Sequence, residues 1–194
     1  EKIEILKEFK NRILISFVFL IGAFFFFFFN VSFVSEILTN PLMVALEDSQ
    51  NKRIIFTALP EVFASNIKIS LFASFLFSVP FLLIQFILFL SPALYKKERN
   101  LFFPLIFMSV IFFFMGVIFA YYFLIPLIWS FFTSFESFMS GSLPIELETK
   151  YSEYLKLTMF LLLASGLSFE FPIFIILFTK LGFFDEYFLK KNRK

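Results

Sequence analysis

Three carboxylates stand where a carboxylate can do chemistry. Glu170 sits inside the run Leu157–Thr179, which carries no other charge. Counting 1.5 Å per helical residue puts it roughly 14 Å along the helix from Thr179. A charge near a bilayer centre costs about 2.5–3.5 kcal/mol on insertion scales, so such a group meets a partner, lines a cavity, thins the bilayer or holds a proton. Pro172 lies two residues on, removes a backbone donor and leaves the Ser168 carbonyl without its helical partner. Ser168, Glu170 and Pro172 therefore predict a polar, kinked patch inside the run, serving either function or packing against another helix. Gln85, with Ser78 and Pro80 close by, offers a weaker version of the same pattern, an amide able to hydrogen-bond between helices. Glu98 lies within Lys96-Lys97-Glu98-Arg99, and Glu8 precedes the first apolar run near Lys10 and Arg12. A carboxylate at a surface accepts a guanidinium in bidentate geometry. The plainer reading makes both solvated charges, with Glu8 paired to Arg12 one turn on for a few tenths of a kcal/mol.

Other chemistries lack their residues. Cys and His are both absent, which excludes thiol chemistry, Cys or His catalysis, structural zinc and His-held haem. No P-loop, dinucleotide, serine-hydrolase or zinc-protease motif occurs, and five Gly leave little for a phosphate-cradling loop. No metal, cofactor or enzymatic activity is expected. The basic end Lys190–Lys194 suits anionic lipid better than nucleic acid.

The elements that must position these groups are set by composition. Hydrophobic residues make up 60% of the 194 and charged residues 16%, with 38 Phe and a mean hydropathy of +0.90. A soluble domain is about 25% charged, so this chain cannot cover a water-facing surface. A membrane-crossing helix takes about 20 apolar residues. Ile13–Phe29, Ile69–Leu90 and Leu101–Phe135 are charge-free over 17, 22 and 35 residues, and Leu157–Thr179 makes a fourth run. Pro126 is expected to end the third helix, giving a span near Pro104–Ile125. Tracts such as Phe24–Phe29 do not alternate as barrel strands would. Ile13–Phe29 exceeds the core of a cleaved leader and lacks its small-residue site. The fold class is an all-α, polytopic integral membrane bundle of four transmembrane helices. The expected layout is a segment 1–12, spans 13–33, 67–90, 104–126 and 155–179, loops 34–66, 91–103 and 127–154, and a tail 180–194. Residues 1–12 carry an apolar stripe at Ile3, Leu6 and Phe9, predicting an interfacial helix or an extension of the first span.

Charge orients the bundle. Of 17 Lys and Arg, twelve fall on the side of the N-terminus, the 91–103 loop and the tail, and five on the other. Lys and Arg mark the cytoplasmic side, so both ends are expected inside.

Short motifs then point to a family. Ser91–Leu105 (SPALYKKERNLFFPL) resembles the first cytoplasmic loop of TatC, the multi-spanning subunit of the twin-arginine protein translocase. Gly166–Pro172 (GLSFEFP) resembles that family's fourth-span motif with its intramembrane Glu, and Tyr151–Gly166 the segment entering it. Phe119–Pro126, Asn40–Leu46, Thr57–Phe72 and Glu8–Leu14 are similar to its third-span end, first external loop, loop return and N-terminal signature. The matches run in order along nearly the whole chain. Lys10 stands where the signature has Arg, which keeps the charge and loses the fork. The family pattern has six spans and these residues supply four, as in a piece or a short member.

The resemblance implies a receptor for signal peptides bearing two consecutive arginines, in a bacterial inner membrane or an organelle of bacterial descent. It implies work with small single-span subunits of TatA/TatB type, as a homo-oligomer within a hetero-complex, to export folded proteins on the proton motive force. Glu8, Lys10, Arg12, Lys96, Glu98 and Arg99 would then form the cytoplasmic binding site, Glu170 and Gln85 the intramembrane polar site, and Pro41, Pro80 and Pro172 structural points. Two rivals stand beside it: a proton-coupled solute carrier using Glu170, and a scaffold subunit of a respiratory complex.

Overall fold

The computed structural model describes residues 2–46, 54–56, 58–90, 102–138 and 149–180. Helix α1 runs Lys2–Phe29 and α2 Val31–Leu46, with the two-residue strand β1 (Ile54–Ile55) and the long α3 (Leu59–Leu90) after them. Helix α4 (Phe102–Phe119) passes through a π-helical turn (Ala120–Leu124) into α5 (Ile125–Phe138). Strand β2 (Thr149–Lys150) leads into α6 (Tyr151–Phe169), and α7 (Phe171–Lys180) comes next. The protein is thus an all-helical bundle, and four helices, Lys7–Phe29, Pro60–Phe89, Pro104–Phe132 and Tyr151–Thr179, are long and apolar enough to cross a membrane. Helices are what such segments must form, since a lipid-exposed backbone has to satisfy its hydrogen bonds internally.

Of the two expectations for the N-terminal segment the structure has the helical extension: the chain is helical without a break from Lys2 into the first span, so residues 2–12 extend that helix. Three further features depart from the expected layout. The expected span 13–33 straddles a turn at Asn30, whose amide N–H bonds the Phe27 carbonyl. Within the expected loop 34–66, residues to Leu46 belong to α2. At 16 residues α2 is apolar but too short to cross a membrane. The third span also does not stop at Pro126. The Ile125 N–H bonds the Ala120 carbonyl, five residues back. The wider turn lets the helix continue past a proline whose ring would strike the carbonyl four residues back.

Packing relies on small and hydroxyl residues. Helices in lipid gain little from burying apolar area against each other and depend on close approach. Where α4 crosses α6, Ser165 Oγ donates to the Gly116 carbonyl at 2.8 Å, and Phe113 is buried beside Gly166. Ser70, Ser74, Ser78, Ser109 and Thr158 are fully buried. Phenylalanines supply both stacking and outer surface: Phe19 and Phe81 stack at 4.4 Å between α1 and α3, whereas Phe29 is 81% exposed. The parallel pairing of Ile54 with Thr149 and Ile55 with Lys150 ties the approach to α3 to the start of α6.

Candidate functional site

Helices α1 and α3 pack along much of their length, bringing Arg12 against Gln85 from 73 residues away. The Arg12 guanidinium joins two helices. Its Nε and Nη2 donate to Glu8 Oε1 at 3.1 and 2.8 Å, and its Nη1 donates to Gln85 Oε1 at 3.0 Å. Ser16 Oγ donates to the Arg12 carbonyl. Glu8 remains 43% exposed and Arg12 25%. Among the described residues Glu8 Oε2 accepts no hydrogen bond. Beside this trio lies a cavity of about 310 Å³, walled by Phe9, Ile13, Phe17, Phe86 and Phe89 with Arg12 and Gln85 at its polar part. Lys10 is exposed on the same helix. Lys96, Glu98 and Arg99 fall outside the described residues.

The second site is enclosed. Glu170 occupies the turn between α6 and α7 and is 1% exposed. Ser109 Oγ, from α4, donates to Glu170 Oε2 at 2.8 Å, and Oε1 has no hydrogen-bond partner among the described residues. Pro172 sits in the first turn of α7, where a missing N–H is tolerated. The Phe174 N–H returns to the Glu170 carbonyl at 3.0 Å, so the chain stays helical beyond the turn. Gln85 does not join Glu170; its side-chain partner is Arg12. Pro80 is buried inside α3.

A third cluster holds α2. Pro41 lacks the N–H that would bond the Ile37 carbonyl, and Tyr121 Oη donates to that carbonyl at 2.9 Å instead. Tyr154 Oη donates to the next carbonyl, Leu38, and Ser35 Oγ shares a 2.6 Å hydrogen bond with Tyr151 Oη. Sequence reasoning missed these tyrosines, although an orphaned carbonyl at Pro41 was a signal that some donor must arrive. It also missed Ser109, a single hydroxyl in an apolar run. Among the described residues no group of three His, Cys, Asp or Glu side chains converges as a metal site.

Residues 4–194 match the family described as Sec-independent protein translocase protein (TatC). A Sec-independent protein translocase protein TatC from Rickettsia prowazekii is 38% identical over 98% of this chain and 75% of its own length. One from Desulforapulum autotrophicum is 36% identical over 82% of this chain, which spans 56% of that relative. A crystal structure of the twin arginine translocase receptor TatC in DDM superposes with a TM-score of 0.81 at 29% identity, covering 96% of this chain and 80% of the other.

Proposed function

The chain belongs to the TatC family of Sec-independent protein translocase proteins, and on that premise we propose that it captures twin-arginine signal peptides at the cytoplasmic face. The family is one of transport, and the chain is a core subunit of the twin-arginine translocase, a multi-pass protein of the bacterial inner membrane. That membership replaces the solute-carrier reading of Glu170 and the respiratory-scaffold reading of the chain. In the proposed orientation the N-terminus of α1 is cytoplasmic, as the Lys and Arg distribution predicts. Small single-span subunits then assemble with the chain, and the proton motive force drives export of the folded cargo.

The observation that carries the receptor reading is the Glu8 carboxylate, partly exposed in the N-terminal part of α1, with one oxygen bonded to Arg12 and the other open among the described residues. An open carboxylate oxygen accepts a charge-assisted hydrogen bond from a guanidinium of the signal. Glu98, on the same side by charge, supplies a second carboxylate for the second arginine.

The test is photocrosslinking from position 97, next to Glu98, in native membranes, using one signal bearing Arg-Arg and the same signal bearing Lys-Lys. Strong crosslinks to Arg-Arg and few to Lys-Lys are expected, and Glu98→Gln should weaken capture far more than general membrane insertion. Equal crosslinking of both signals would overturn the reading.

A further inference from the structure

Glu8 and Arg12 are one helical turn apart, and such a pair can meet in two ways. The guanidinium can lie side-on and take both carboxylate oxygens in a fork, or it can crowd onto one. A fork takes one lone pair from each Glu8 oxygen, whereas crowding onto one oxygen leaves the other with both lone pairs for a ligand. The structure has the second arrangement. Both Arg12 donors converge on Oε1, at 3.1 and 2.8 Å.

A further contact braces the guanidinium from α3. Gln85 Oε1 accepts from Arg12 Nη1 at 3.0 Å, so the guanidinium is held at two corners by two different helices. The amide sits at the edge of the 310 Å³ cavity with Phe86 and Phe89. Those apolar walls limit competition from water and strengthen the bond. We propose that Gln85 is a positioning residue for the Glu8 carboxylate: by holding Nη1 of Arg12 it fixes the guanidinium that anchors Oε1, and so presents Oε2 to an arginine of the signal peptide. Gln85 touches no part of the ligand and acts through Arg12. The role rests on the receptor reading above and assigns Gln85 to the surface site rather than to the Glu170 patch.

The test measures binding of fluorescent Arg-Arg and Lys-Lys signal peptides to the full chain in lipid nanodiscs. Gln85→Asn keeps an amide but is one methylene short of Arg12, and it should weaken Arg-Arg binding about tenfold. Gln85→Glu keeps an acceptor at full reach and should restore binding to within about twofold of native. Because the effect runs through Glu8, Gln85→Asn in a Glu8→Gln background should cost less than about twofold further. Undiminished binding by Gln85→Asn would overturn the proposal, as would an equal loss in both backgrounds, which marks a general effect on the bundle. A native chain that binds Arg-Arg and Lys-Lys alike would fail the receptor reading itself and this inference with it.

Discussion

Glu170 was legible from its type and place alone, because a carboxyl inside an apolar run is costly enough to require a reason. Its partner was not. Ser109 is one hydroxyl among apolar neighbours, and only the packing of α4 on the α6–α7 turn gives it meaning. The pair makes two predictions at this scale. Ser109→Ala removes the donor to Oε2 from a site 1% exposed, and a buried acceptor stripped of its partner costs about 1–3 kcal/mol. Thermal unfolding of the purified chain should show that loss. Glu170→Gln keeps an acceptor for Ser109, so the protein should fold and insert at native levels while export of a twin-arginine cargo falls. Normal export by a well-folded Glu170→Gln chain would reduce Glu170 to a packing residue. Arg12 and Gln85 teach the same lesson as Ser109: each was singled out, but their contact spans 73 residues and is set by how α1 lies on α3.

At the scale of elements, long apolar runs, three of them charge-free, located the four long helices, because such segments have few other solutions in lipid. They did not reveal α2, which is too short to span and carries Glu36 and Pro41. They also placed a helix end at Pro126, which a π turn bypasses. Proline marks a lost backbone bond, and its effect on the helix depends on which group makes the loss good. At Pro41 the donor is Tyr121, on the Ile37 carbonyl. This substitution of a side chain for a backbone bond is testable by a double-mutant cycle. Tyr121→Phe should destabilise the chain by about 1 kcal/mol. Pro41→Ala returns an N–H to compete for the same carbonyl, so Tyr121→Phe should cost measurably less in that background. Hydrogen exchange across residues 35–46 would report the local effect. Independent, additive costs would mean that the tyrosine does not stand in for the missing amide.

For the whole molecule, the crossing of α4 and α6 sets the distance between the two halves of the architecture. The α6 helix carries the tyrosines that hold α2 at one end and the Glu170 turn at the other. Helix α4 carries Ser109, which meets that turn. The two helices touch through glycines. A Cβ on Gly116 would stand 2.7 Å from the Ser165 carbonyl oxygen, and one on Gly166 would stand 2.8 Å from the Phe113 ring. Backbone cannot yield as a flexible side chain does, so Gly116→Ala should push the helices apart and cost about 1–3 kcal/mol, as overpacking does. It should also lengthen the Ser109 to Glu170 contact and lower export beyond what the lost stability explains. Gly22 is the internal control. It lies in α1, where an added Cβ meets nothing within 4 Å, and Gly22→Ala should stabilise the helix by about 0.5–1 kcal/mol. Melting both variants in the same lipid separates the two causes, since helix propensity favours alanine at each position and only the crossing opposes it at Gly116. Equal melting temperatures would show that α4 and α6 can part without cost, and the link between the Glu170 turn and the α2 platform would have to run through another contact.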